Sequence, residues 1–101
     1  MEKLLAFRGE LNAVDAEIVR LLGRRYAICR AVAVFKREHG IPMMQPGRVA
    51  EVKERCAQMA REHGIDPDFA RQLYGLIIDE ACRMEDEIID DPGPCLASPA
   101  R

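Results

Sequence analysis

No stretch of this chain is apolar over the roughly 18 residues that a membrane span needs. The opening MEKLLAFRGE carries charges through any apolar core that a secretion signal would require, so the expected compartment is the cytosol. Tryptophan is absent and aromatics make up only 5%. The apolar content is therefore aliphatic, and with abundant Ala, Leu, Arg and Glu it is the composition of a soluble helical protein. Neither sign of charge dominates, the formal net charge being −2. That excludes a general nucleic-acid binder, which needs a net basic footprint, but not a local cationic pocket. None of the cysteines (Cys29, Cys56, Cys82, Cys95) forms a CxxC pair, and His39 and His63 stand at no zinc-ligand spacing from them. No metal is expected, and the cysteines read as three helix-packing thiols and one tail thiol, all reduced. There is no internal repeat and no strand signal.

What is present is helical periodicity. Over residues 3–38 apolar positions fall at Leu4, Phe7, Leu11, Val14, Ile18, Leu21, Ile28, Val32 and Phe35. This alternating three–four spacing is a coiled-coil-like seam. Gly40 and Pro42 stop the helix. A second helix runs from Arg48 to Glu62 with Val49, Val52, Cys56, Met59 and Ala60 on one face. Asp66 is a natural N-cap, and Pro67 suits the first position of a third helix reaching about Ile89. Phe69, Leu73, Leu76, Ile77, Met84 and Ile88 are expected to face inward. Residues 1–90 thus form one all-α domain, and 91–101, DPGPCLASPAR, read as a disordered tail. The first helix would be about 50 Å long, more than two shorter helices cover in a compact monomer. A bare seam of that length is an association surface, so the pattern implies a homodimer.

The seam is violated once. Its spacing asks for an apolar residue at position 25, and the chain has Arg25. A guanidinium on a buried stripe either snorkels or pairs, or else faces a ligand. Lys36 lies about 20° beyond three full turns from Arg25 and about 16 Å along the axis, so both cations share a face. The gap suits one small anion. Arg8, about 42 Å from Lys36 at helical rise, reaches such a site only from a partner subunit. On the third helix Glu85 continues the line Tyr74, Ile78, Ala81, close to the apolar face. Most helical carboxylates are solvated, as Asp79, Asp86 and Glu87 are expected to be. A partly buried Glu85 would have a raised pKa. The loop IPMMQPGR turns the chain back, with Met43 and Met44 as flexible gap-fillers. Arg20, Arg24, Arg30, Arg37, Arg55, Arg61 and Arg71 read as solvated helix faces.

The order LLAFRGELNAVDAEIVRLLGRR, AVAVFKREHGIP, PGRV and LYGLIIDEACRMED resembles the small all-helical chorismate mutases over roughly residues 4–88. Within that family the loop IPMMQPGR and the closing CRMED look most like the 4-amino-4-deoxychorismate mutases. Isochorismate-pyruvate lyases share the scaffold. The resemblance implies an intertwined dimer of three-helix chains in which each site takes one arginine from the other protomer. It also implies a concerted 3,3-sigmatropic rearrangement of an enolpyruvyl ether without cofactor, metal or covalent intermediate. Carried over by position, Arg8 of the partner subunit and Arg25 would clamp two carboxylates. Lys36 would donate to the ether oxygen, and Arg48 would sit at the ring end. Glu85 would face the ether oxygen and must be protonated to donate there. Three positions depart from the family pattern: Val49 where Glu is common, Gln45 for Asp, and Ala81 for Ser or Thr. All three changes concern the surroundings of the substrate's C4 position. A lyase releasing pyruvate and a non-catalytic helical dimer module are the competing readings. Product analysis separates the first from a mutase, and the effect of Lys36→Ala separates the second.

Overall fold

The computed structural model describes residues 1–42 and 47–90. Met43, Met44 and Gln45, and the expected tail 91–101, lie outside the described residues. Three helices make up the fold: α1 (Glu2–His39), α2 (Arg48–Glu62) and α3 (Pro67–Asp90). Their limits lie within a residue of those the caps predict. Gly40 adopts φ 64° and closes α1, its N–H donating to the Lys36 carbonyl. Ile41 N–H reaches the same oxygen at 2.9 Å. This left-handed stop is one that glycine takes without strain. At the start of α3 the Asp66 carboxylate accepts from Phe69 N–H at 3.2 Å, leaving Pro67 where no amide donor is needed.

The α3 helix packs against both α2 and α1. The Tyr26 hydroxyl on α1 donates to the Ile77 carbonyl on α3 at 3.1 Å. Helical spacing alone puts Arg37 and Arg71 on solvated faces; the structure half-buries both. Arg37 donates to the Ile88 carbonyl at 3.1 Å. Arg71 forks onto Glu54 at 2.8 and 3.0 Å and onto Asp68 at 2.6 Å. Each correction has a partner on a neighbouring helix, α3 for Arg37 and α2 for Arg71, a tertiary fact that spacing within one helix does not contain.

The core is thin and made of small side chains. Its buried members are Ala33, Ala57, Ala60, Ala70 and Ala81 with Val52, Cys56, Ile77, Ile78 and Met84. Every residue from 1 to 21 is exposed, so the first half of α1 projects free of its own chain. The radius of gyration is 17.5 Å, against about 13 Å for a compact domain of this length. The seam residues Leu4, Phe7, Leu11, Val14, Ile18, Leu21, Ile28, Val32 and Phe35 are all exposed. So are Met59, Phe69, Leu73 and Leu76, which the periodicity sends inward; Leu76 is 70% exposed. Among the described residues no helix covers that side of α2 and α3; Ile77 and Met84 are buried as expected, and Ile78 and Ala81 complete the inward face of α3.

Candidate active site

Three stripes of side chains, one from each helix, meet around a cavity of about 390 Å³. From α1 come Arg25, Cys29, Val32 and Lys36, at intervals of four, three and four residues. The α2 wall holds Arg48, Val49, Val52 and Arg55, and the α3 wall holds Ile78, Ala81, Cys82 and Glu85. Each set keeps to one helical face, as i, i+3, i+4 and i+7 positions do. The violation of the α1 seam at position 25 is thereby accounted for. C-terminal to Leu21 one edge of the α1 stripe turns from bare surface into cavity wall.

Arg25 is half-buried and does not snorkel away. Its guanidinium lies 5.8 Å from the centre of the Tyr74 ring, a cation–π contact. Its Nη1 donates to Cys29 Sγ at 3.8 Å. Arg48 is exposed and also pairs with Glu51 on its own helix. Among the described residues four cations, Arg25, Lys36, Arg48 and Arg55, line the cavity with a single carboxyl, Glu85. Planar guanidiniums offer paired donors to carboxylates, so this surplus of positive charge fits a small dicarboxylate.

Glu85 is half-buried, and burial pushes its carboxyl above the usual range. Asp86 adds to the upward push, while Lys36, Arg25 and a hydrogen bond from Cys29 oppose it. The thiols of Cys29 and Cys82 are raised as well, chiefly by burial. Burial thus disfavours the thiolate, the nucleophilic form, at both.

Of the residues singled out from sequence, Arg25, Lys36, Arg48, Val49, Ala81 and Glu85 share this cavity. Arg8 does not; it sits on the exposed first half of α1. Gln45 lies outside the described residues. Arg55 is exposed, as expected, but the face it stands on also lines the cavity. Seven residues separate it from Arg48, two helical turns less about 20°, so the signal was present in the spacing. Cys29 was read only as a packing thiol, yet it is one turn beyond Arg25 on the same stripe and also lines the cavity. Among the described residues no group of His, Cys, Asp and Glu is arranged to hold a metal ion. No helix among them is long and apolar enough to cross a membrane.

A three-helix scaffold with a cation-lined, half-enclosed cavity and one raised carboxyl is the frame of an enzyme that binds a small dianion and works by positioning and electrostatics. The sequence matches the family model for chorismate mutase type II over residues 7–86. The chain belongs to that family and is a chorismate mutase-type isomerase. It is 44% identical to a 4-amino-4-deoxychorismate mutase of Streptomyces pristinaespiralis, over 97% of this chain and 76% of that protein. It is likewise 44% identical to a 4-amino-4-deoxychorismate mutase of Streptomyces venezuelae, over 86% of this chain and 84% of that protein. An isochorismate pyruvate lyase of Pseudomonas aeruginosa is 37% identical, over 74% of this chain and 73% of that protein.

Proposed function

We propose that the protein rearranges 4-amino-4-deoxychorismate, or chorismate, to the corresponding prephenate, with the amino compound the preferred substrate. The observation that carries this reading is the convergence of Arg25, Lys36, Arg48 and Arg55 with the half-buried Glu85 on one cavity. The preference for the amino compound is supported by the two relatives of that name rather than by electrostatics. Val49, in the cavity wall, offers no acceptor to an ammonium group.

The reaction breaks the ether C–O bond and forms a C–C bond in one step, with negative charge growing on the ether oxygen. Arg25 holds one substrate carboxylate, and Arg55 adds positive charge to the same cavity. Lys36 and the neutral Glu85 carboxyl donate to the ether oxygen where that charge grows. Arg48 closes the ring end. Val32, Val49, Val52 and Ile78 supply an apolar wall that favours the folded, chair-like conformer over an extended, solvated one. No proton needs to leave the protein, so Glu85 acts by donating a hydrogen bond and ends each turnover as it began.

The working molecule is a homodimer in this reading. Exposed Leu4, Phe7, Leu11, Val14 and Ile18 form an apolar strip along a projecting helix, which a second copy of α1 would cover. The same pairing carries Arg8 of each protomer toward its partner's cavity as a further carboxylate donor.

The test is a parallel assay with chorismate, 4-amino-4-deoxychorismate and isochorismate, with products identified by mass. Faster turnover of the amino compound supports the reading. Faster turnover of chorismate retains the mutase chemistry and removes the substrate preference. The lyase-named relative makes pyruvate release from isochorismate the second reading, and pyruvate as the sole product would establish it in place of the first.

A further inference from the structure

Among the described residues Arg25 is in no ion pair, unlike Arg20, Arg48, Arg71 and Arg83. Yet it is half-buried, and a charge that loses water needs some other hold. Its neighbours are neutral. Cys29 Sγ accepts from Nη1 at 3.8 Å, and the centre of the Tyr74 ring lies 5.8 Å from the guanidinium carbon. Sulfur is a weak acceptor, so the ring is the stronger hold. Tyr74 is itself fixed from behind, packed against the buried cluster of Val52, Cys56 and Ile78. Next to Arg25, the Tyr26 hydroxyl donates to the Ile77 carbonyl at 3.1 Å, which holds α1 against α3 beside the pair. Burial pushes the Tyr74 phenol above its usual range, which keeps the ring neutral near pH 7. Tyr74 does not line the cavity; Arg25 does.

We infer that Tyr74 is a positioning residue: its ring face holds the Arg25 guanidinium at the cavity wall and so preorganises it for a substrate carboxylate. A ring face attracts a cation through its quadrupole and takes up no N–H donor. A protein carboxylate in the same place would compete with the ligand for those donors. The donors left after the bond to Cys29 therefore stay available to the ligand. Without the ring, the long arginine stem is free to carry its charge out to water. Binding would then have to order that side chain again, at a cost in entropy. The inference rests on the mutase reading for its ligand, and on the Arg25–Tyr74 geometry for the contact itself.

The test compares wild type with Tyr74→Phe and Tyr74→Leu, each first shown by its melt to be folded; Tyr74→Met replaces the leucine variant if that one does not fold. Phenylalanine keeps the ring face, whereas leucine keeps apolar bulk without a quadrupole. Tyr74→Leu should raise KM roughly fivefold, the scale of one cation–π contact. Its kcat should change little, because the carboxylate is held alike in ground and transition states. Tyr74→Phe should recover most of that loss. A double-mutant cycle with Arg25→Met, read by urea unfolding at one protein concentration, follows the contact without any substrate. Tyr74→Leu should lower the unfolding midpoint less in the Arg25→Met background than in wild type, since the partner of the ring is already gone. Additive midpoints overturn the inference, because a ring that only packs against Val52 and Ile78 costs the same in both backgrounds. So does a Tyr74→Phe protein indistinguishable from Tyr74→Leu, or a Tyr74→Leu loss confined to kcat. Failure of all three substrates in wild type overturns the functional reading instead and leaves the urea cycle to decide the contact.

Discussion

Glu85 is pulled both ways by its surroundings. Burial and Asp86 favour the neutral acid, while Lys36, Arg25 and Cys29 favour the carboxylate, and the first influence prevails. A carboxyl whose folded pKa is raised keeps its proton at low pH and loses it as pH rises through that folded value. The neutral donor is thus lost on the alkaline side, and kcat should fall there. Glu85→Gln, which donates at every pH, should flatten that limb. A wild-type profile flat from about pH 5 to 9 would remove the donor role, since a bell or a limb is what such a group reports. Lys36→Ala should lower the rate by at least about a hundredfold, the scale of one preorganised donor to a developing oxyanion. Its melting curve should stay close to wild type, because a cavity-facing cation is not part of the core. Arg55→Ala should raise KM severalfold with kcat little changed, as expected for a contact made equally in ground and transition states. A loss confined to kcat would argue against that assignment.

The three helices depend on different things at the scale of the element. Local chemistry is enough for the ends: Gly40 in the left-handed region stops α1, and the Asp66 carboxylate caps α3. Asp66→Ala should cost about 1 kcal/mol of stability, read as a lower melting midpoint without loss of catalytic rate at low temperature. Every residue in the first half of α1 is exposed. Most helical stability in proteins comes from tertiary packing of an apolar face, so this arm needs a cover. Ile18→Glu places a charge in the middle of the exposed strip. In the proposed dimer it should shift sedimentation toward the monomer and abolish activity, while leaving the α2–α3 hairpin helical by circular dichroism. A dimer that survives this change would place the interface elsewhere.

For the whole molecule, a thin alanine-rich core and a large radius are what the proposed dimer would compensate, since small domains bury little surface alone. The melting midpoint should rise with protein concentration, as it does whenever a partner binds only the folded state. The donation of Arg8 across the dimer has its own test. Arg8→Ala and Lys36→Ala proteins are each nearly inactive under the proposal. Mixed and allowed to exchange subunits, they form heterodimers with one intact site, and about a quarter of wild-type activity should return under two-fold symmetry. No recovery would mean that Arg8 serves the site of its own chain or none.

The limits of all three helices were legible in the sequence because caps, prolines and periodicity act over a few residues. So was the shared face of Arg25 and Lys36, which follows from helical pitch alone. The α2 stripe running from Arg48 to Arg55 was equally available, but a lone arginine on a helix resembles any solvated one until a second wall stands opposite. Only the packing of α3 against both other helices decided that these stripes face one cavity. It also decided that Arg37 and Arg71 are tied down. The raised Glu85 carboxyl belongs to the same category. Its cause is desolvation, and the loss of water around a side chain is set by what distant parts of the chain bring against it.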